Sequence, residues 1–375
     1  MCKTRKWGGY TMEIKSIQII HATEGMILAE DVYTDADKLV VTCNTVLNDI
    51  VIQKIRKYGI FHILVYEKEK EEATLEEEIE AKDVYLHKEK VRKSQDFSMF
   101  KQDFEKSING LKKTFGRILE DNDLNETEKL LNRVNAMVKH GHGTLHIMDM
   151  LNCMREYDDV TYAHSISVGL LCRLIGEWLK YPENELQALT LAGLVHDIGK
   201  LQISNSIISK PGKLTTQEYH IVQTHPKLGY NILKDKDFDE RVKLAALMHH
   251  ERCDGSGYPF HLPSDKIDYW SKIVSIADVY DAMTADRSYR NGMCPFEVLE
   301  IWQKDGYMKY DTGLLMMFME KTAYSYINSA VRLSDGRIGE IVSIPKDSLT
   351  RPLVRIGEDF VDLKQQNDIV IQQII

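Results

Sequence analysis

Phe97, Phe100, Phe104, Ile108, Leu111, Phe115 and Ile118 recur at steps of three and four residues. That spacing predicts one long amphipathic helix. Comparable stripes follow one another from about residue 126 to 320, with turn signals between them, so the middle of the chain reads as helix after helix. Thr215 and Glu218 form a capping box at the start of a helix that runs toward His225. The two ends follow a period of two instead. Met26 to Tyr33, Lys38 to Val41 and Phe61 to Tyr66 are short β-rich runs, and Asn48 to Tyr58, carrying Ile50, Ile52 and Ile55, reads as a short helix between them. After about residue 328, Val331 to Ser334 and Arg337 to Val342 flank Asp335-Gly336, which predicts a hairpin with a type I′ turn. Leu353 to Ile356 and Phe360 to Leu363 predict a second hairpin across Gly357 to Asp359. Between the first β-rich region and the helices, Glu67 to Glu80 is almost all Glu and Lys, the composition of a solvated helix or linker. The expected fold class is mainly α, with small β-rich N- and C-terminal regions. The expected segments are a β-rich domain over 12–67, a charged and amphipathic helical linker over 68–125, a helical domain over 126–327 and a β-rich domain over 328–375. The Phe97 to Ile118 stripe fits either the seam of a homodimer or packing against its own domain.

A chain of 375 residues with 43% hydrophobic and 28% charged residues has enough apolar material for two or three domains. Its 57 acidic residues against 48 basic ones leave a net charge of -9, which repels a phosphate backbone and argues against general nucleic-acid binding. The six cysteines, Cys2, Cys43, Cys153, Cys172, Cys253 and Cys294, are scattered without a C-x-x-C pair, so neither a disulfide framework nor a zinc ribbon is expected. No apolar run reaches the ~18 residues of a membrane span, and Met1 to Thr11 lacks the apolar stretch of a signal peptide. The expectation is a soluble, cytoplasmic protein.

Candidate chemistry gathers in the helical middle. His164 leads the stripe Val168, Leu171, Ile175; His196 and Asp197 end one that starts at Leu186 and Leu189, with Gly199 as a stop signal. His249 follows Ala245 by four, and Asp278 follows Val274 by four. With His225 and His250, these place ionisable groups on the inward faces of five helices. Leaving them unpaired there would cost several kcal/mol for each charged group. Divalent first-row metals accept neutral imidazoles and carboxylates, so a shared metal site removes the problem. Seven ligands exceed what one ion needs; two ions with Asp197 between them fit, and the imidazole-rich set argues against magnesium. A pair of ions suits in-line attack of an activated water on a phosphorus or carbonyl centre. The other histidine cluster, His140, His142 and His146, has glycines around it and no carboxylate partner, and reads as a loop. Cys253, close to His249 and His250, reads as incidental.

His196-Asp197-Ile-Gly-Lys200 resembles the HD signature of the metal-dependent phosphohydrolase superfamily. His249-His-Glu-Arg-Cys-Asp-Gly-Ser-Gly-Tyr-Pro259 resembles the HD-GYP subfamily of cyclic di-GMP phosphodiesterases. The likeness runs from about His164 to Arg290, including Lys210-Pro-Gly-Lys-Leu-Thr215 and Asp278-Val-Tyr-Asp-Ala282. It implies an HD-type helical domain and two iron or manganese ions per chain. His164, His196, Asp197 and Asp278 would hold the first ion, and Asp197, His225, His249 and His250 the second. It implies a substrate-phosphate contact from Lys200, further contacts from Asp281, Arg287 and Arg290, and a recognition loop at Gly257, Tyr258 and Pro259. The implied activity is hydrolysis of cyclic di-GMP to pGpG, and on to GMP, by a metal-bridging hydroxide, with Asp197 and Lys200 the residues that carry it. The alternatives are a non-catalytic cyclic di-GMP receptor and an enzyme for another cyclic dinucleotide such as 3′,3′-cGAMP. Some members hold a third metal with a glutamate one turn before the first histidine; here that position is Val160, with Asp158 and Asp159 out of register, so two ions are expected.

Overall fold

The computed structural model describes residues 5–7, 10–19, 22–34, 39–58, 60–68, 91–120, 125–140, 147, 148, 150, 151, 154, 160–210, 212–285 and 292–375. The acidic run is described only at Glu67 and Lys68; most of it lies outside these residues, as do His142, His146, Asp158, Asp159, Arg287 and Arg290, while for His140 and Val160 the backbone alone is described. Two compact units divide the chain: residues 1–79 with 213–220, and residues 80–212 with 221–375.

The first unit is built on two small antiparallel sheets. Strands β1 (Arg5–Trp7), β2 (Tyr10–Gln18), β6 (His62–Lys68) and β3 (Ile27–Leu28) lie side by side in that order, while β4 (Val32–Tyr33) pairs with β5 (Leu39–Val41). Pairing of Trp7 with Tyr10 carries the sheet into the first residues of the chain, where the alternating pattern gave no strand. The expected short helix is α1 (Asp49–Lys57), started by Asn48, whose side chain accepts from the Val51 N–H. Its Ile52 and Ile55 are buried with Leu28, Leu47, Ile63 and Val65, whereas Ile50 faces out.

In the second unit the aromatic stripe lies on α2 (Gln95–Glu120). Its seven stripe residues are at most 6% exposed and share a core with Leu130, Val134 and Met137 of α3 (Asn125–His140). Packing within the chain therefore accounts for the stripe. Helices α4 (Val160–Trp178) and α5 (Glu183–Val195) form a hairpin. At its turn Lys180 adopts φ 59°, and the N–H groups of Tyr181 and Lys180 donate to the carbonyls of Gly176 and Glu177. These bonds satisfy the last carbonyls of α4. The two helices then touch backbone to backbone, because a Cβ on Gly193 would lie 2.9 Å from both Gly169 Cα and the Val168 carbonyl oxygen. His164 near the start of α4 and His196 just past the end of α5 thus come to the same end of the hairpin.

A 3-10 turn (Ile198–Gln202) and α6 (Asn205–Ile208) follow. The helix expected to run toward His225 is two helices. The capping box starts α7 (Thr216–Val222), with the Thr215 N–H on Glu218 at 2.7 Å and the Glu218 N–H on the Thr215 hydroxyl at 3.3 Å. His225 then opens α8 (His225–Leu233). Helices α9 (Glu240–Met248) and α10 (Tyr269–Thr284) complete the frame of the site, with α11 (Pro295–Lys309) and α12 (Thr312–Ser325) beyond them. Asp268 caps α10, accepting from the Trp270 and Ser271 N–H groups. Asp268→Ala is expected to lower stability by about 1 kcal/mol, the usual value of such a cap, measured as a shift in the denaturant midpoint with unchanged slope.

The C-terminal strands form one antiparallel sheet in the order β10 (Asp359–Asp362), β9 (Leu353–Ile356), β8 (Ile338–Ser343), β7 (Ala330–Leu333), β11 (Ile371–Ile374). Val331, Leu333, Ile341 and Val354 are fully buried in the same core as the helices. Its first hairpin departs from the expected type I′ turn. Only Gly336 has positive φ, at 92°, the Gly336 N–H donates to the Leu333 carbonyl, and the Leu333 N–H donates to that of Arg337. This is the three-residue loop with glycine in the left-handed position. Asp335 Oδ1 accepts from the Arg337 N–H, which holds the aspartate out of the left-handed region that a type I′ turn requires. In the second hairpin Asp359 pairs with Ile356, leaving a two-residue loop that opens on Gly357 with φ 60°.

Candidate metal centre

The histidines stand at helix ends, and the helix ends orient them. The last carbonyls of an α-helix have no partner within it. His196, just after α5, turns Nδ1 back to the Gly193 carbonyl at 2.7 Å. His249, just after α9, does the same with Ala245 and Ala246 at 3.0 and 3.1 Å. His225 uses the last carbonyl of α7, Val222, at 2.7 Å. A carbonyl can only accept, so in each ring Nδ1 carries the proton and Nε2 presents a lone pair. His164 is oriented differently, with Nδ1 2.7 Å from Asp281 Oδ2.

Those lone pairs converge on Asp197. Its Oδ1 lies 3.2 Å from His225 Nε2 and 3.8 Å from His249 Nε2, and these two nitrogens are 3.1 Å apart. Its Oδ2 lies 3.3 Å from His196 Nε2 and 3.8 Å from His164 Nε2. Asp278 Oδ1 completes this side, 3.0 Å from His164 Nε2 and 3.9 Å from His196 Nε2, and its Oδ2 is 3.8 Å from His250 Nδ1. The seven side chains fall into two groups, Asp197 with His225, His249 and His250, and His164 with His196 and Asp278; within each group one ligand atom per residue lies within 4.8 Å of every other. Of the other site residues singled out from the sequence, Lys200, Tyr258 and Asp281 touch these groups. The Lys200 ammonium pairs with Asp197 Oδ2, Tyr258 lies against His250 with ring centroids 4.6 Å apart, and Asp281, expected at the substrate, holds His164.

Charge states follow from burial and neighbours. Burial opposes ionisation of Asp197, yet the Lys200 ammonium beside it outweighs burial and holds the carboxyl well below its usual range. Burial likewise opposes a charged Asp278, but the His164 hydrogen bond and the neighbouring imidazoles hold it low too. Burial, reinforced by the adjacent imidazoles, keeps His249 neutral, and burial pushes His250 down to about 3. At His164 burial is overcome by hydrogen bonds to Asp278 and Asp281, which raise it to about 9. The site thus combines ionised carboxylates with the neutral rings of His249 and His250, while His164 carries its charge between Asp278 and Asp281. His196 Nε2 and Asp197 Oδ1 are fully buried without a hydrogen-bond partner, each a cost of about 1–3 kcal/mol. A divalent cation accepts such lone pairs, and imidazole with carboxylate is a donor set that suits manganese or iron. The residues fit a metal.

Two features had no period to betray them. Glu251 is 3% exposed, and its carboxylate oxygens accept from the N–H groups of Phe260 at 2.7 Å and Leu262 at 2.9 Å. Gly199, read as a helix stop, does not adopt positive φ; it lets the 3-10 turn approach α8, where a Cβ would lie 2.0 Å from the His225 carbonyl oxygen. Helix α5 ends at Val195, before it.

Comparison with known proteins gives the same region a family. Residues 146–314 match the HD domain family HD_5. The chain is 32% identical over 237 residues to the cyclic di-GMP phosphodiesterase PA4108 of Pseudomonas aeruginosa, covering 62% of this chain and 56% of that one. It is 33% identical over 185 residues to the cyclic di-GMP phosphodiesterase response regulator RpfG of Xanthomonas campestris, covering 49% and 46%. It is 40% identical over 158 residues to the 3′3′-cGAMP-specific phosphodiesterase 1 of Vibrio cholerae, covering 42% and 37%. The chain thus spans between 37% and 56% of the length of these relatives. No helix among the described residues is long and apolar enough to cross a membrane. The part of the chain that holds the paired histidine and aspartate groups is thus the part that matches the HD domain family.

Proposed function

We propose that this chain is a metal-dependent phosphodiesterase that hydrolyses cyclic di-GMP to pGpG, and on to GMP. The observation that carries the reading is the meeting of unprotonated imidazole nitrogens with the two oxygens of one buried carboxylate, Asp197. His164, His196, Asp278 and Asp197 would hold one divalent ion, iron or manganese, and His225, His249, His250 and Asp197 a second. Two such ions, when bound, acidify a water and draw charge from the phosphodiester oxygens. Asp197 serves both groups because its two oxygens face opposite ways, Oδ1 toward His225 and His249, Oδ2 toward His164 and His196. Lys200, on the same 3-10 turn, is 24% exposed and can reach a phosphate oxygen as well as Asp197. Arg287 and Arg290, beyond the described residues, would hold phosphate or guanine edges through their planar forks. Hydrolysis joins the water oxygen to phosphorus and breaks the bond to the 3′ oxygen, which leaves with a proton. The expected compartment is the cytoplasm, in keeping with the free thiols of Cys43, Cys172, Cys253 and Cys294.

A second reading, hydrolysis of 3′3′-cGAMP, draws on the 40% identity to an enzyme named for that substrate. Protein purified without oxygen and loaded with iron or manganese is to be given each cyclic dinucleotide, and the products separated by chromatography. Appearance of pGpG or GMP supports the main reading; turnover of the mixed dinucleotide alone supports the second. Binding of cyclic di-GMP without turnover would mark a receptor.

Lys200→Ala tests the phosphate contact. It is expected to keep the metal content of the wild type and to lose turnover roughly 10–100-fold, the value of one hydrogen bond to a charged group, about 1.5–3 kcal/mol. Loss of metal in this variant would assign Lys200 to the metal groups instead.

A further inference from the structure

Six of the seven ligand side chains have a hydrogen bond or close ion pair to another protein group. His250 is the exception. Among the described residues no protein group hydrogen-bonds either of its ring nitrogens; the nearest charged atom, Asp278 Oδ2, is 3.8 Å from Nδ1. It also turns the opposite nitrogen to the centre from His196, His225 and His249, which present Nε2. Its Nδ1 therefore has no free role as the anchor that a helix carbonyl could take. What does touch the ring is the face of Tyr258, stacked at 4.6 Å between centroids with the planes 26° apart. The imidazoles of His225 and His249 also stand beside it, at 5.0 and 4.2 Å between centroids.

Tyr258 is itself fixed from below. Its N–H donates to the His250 carbonyl at 3.1 Å, so the loop folds straight back on the residue whose ring it covers. The buried Glu251 carboxylate clamps the far side of the loop through Phe260 and Leu262. Gly257 permits the close return, since a Cβ there would lie 2.3 Å from the Arg252 nitrogen and 2.5 Å from Glu251 Cα. Asp254 bridges to Pro263 across the neck of the loop.

We propose that Tyr258 is a positioning residue for the metal site: its ring, held by the Glu251 clamp, fixes the orientation of the His250 imidazole and so the affinity of the second ion. The inference rests on the two-ion reading above and gives the Gly257–Tyr258–Pro259 loop a task in building the centre, distinct from recognising substrate. Stacking needs the flat ring and not the hydroxyl, which separates the variants.

The test is titration of the full chain with Mn(II), following stoichiometry and affinity of each ion in wild type, Tyr258→Phe, Tyr258→Ala and Glu251→Gln. Tyr258→Phe is expected to bind both ions as wild type does. Tyr258→Ala is expected to keep the first ion, which also reports that the domain is folded, and to bind the second about 10–100-fold more weakly, as loss of an outer-sphere partner does. Glu251→Gln, which sets an amide N–H against a backbone N–H, is expected to shift the second ion in the same direction. Two ions bound by Tyr258→Ala with wild-type affinity would overturn the proposal and leave the tyrosine to substrate recognition, as would equal loss in Tyr258→Phe or equal loss of both ions in Tyr258→Ala. A wild type that takes up no Mn(II) would overturn the metal reading itself.

Discussion

Asp197→Ala is expected to abolish turnover and to remove metal in the same step. The carboxylate is 2% exposed, belongs to one histidine group and has its Oδ2 3.3 Å from His196 of the other, so on the two-ion reading one substitution takes a ligand from each. Removing an outer-sphere partner of a metal ligand costs about 10–100-fold in affinity, and removing the shared ligand is expected to exceed that for both ions. The substitution also leaves the Lys200 ammonium without its carboxylate and leaves the His225 and His249 nitrogens, 3.1 Å apart, facing each other without an anion nearby. Asp197→Asn is the informative companion. It keeps the volume and one acceptor oxygen but cannot offer two anionic oxygens, so it is expected to bind no more than one ion. The measurements are metal content of purified protein and product formation from cyclic di-GMP. Full activity in either variant would rule out the two-ion scheme, and three ions per wild-type chain would contradict the reading of Val160.

Five of the seven ligand candidates, His164, His196, Asp197, His249 and Asp278, were legible because helical periodicity marks inward faces, and the resemblance added His225 and His250 to one set with them. His164, four before Val168, and Asp278, four after Val274, are buried as that spacing requires. How the rings are held was not legible. His196 and His249 stand one residue beyond their helices, and their Nδ1 atoms cap carbonyls that only the folded helix end exposes. The resemblance implied a substrate contact for Asp281, and α10 sets it against His164 on another helix, 117 residues away in sequence. Glu251 lies in a run whose period suggests nothing, and its function depends on where a loop closes nine and eleven residues later. The turn at Asp335-Gly336 shows the same limit at short range: the dipeptide favours a type I′ turn, but a local bond from the Arg337 N–H to the Asp335 carboxylate selects the three-residue loop.

Gly199→Ala is expected to damage stability and the metal centre together, by a route that touches no ligand side chain. The 3-10 turn that carries Lys200 runs against the first turn of α8, and a Cβ at position 199 would lie 2.0 Å from the His225 carbonyl oxygen and 2.5 Å from the Gly229 nitrogen. Both obstacles are backbone, so no side chain can swing aside, and the turn and the helix must separate. Overpacking of a closed contact usually costs about 1–3 kcal/mol and sometimes more; with two backbone segments in the way, about 3 kcal/mol or more is expected. The displacement falls between Asp197, two residues before the glycine, and His225, whose Nε2 is 3.2 Å from Asp197 Oδ1. Metal affinity at the His225, His249 and His250 group is therefore expected to fall further than at the His164, His196 and Asp278 group. Thermal unfolding of the metal-free protein reads the first effect and Mn(II) titration the second. Wild-type values in both would mean that the close approach of residue 199 to α8 does not set the geometry of the site.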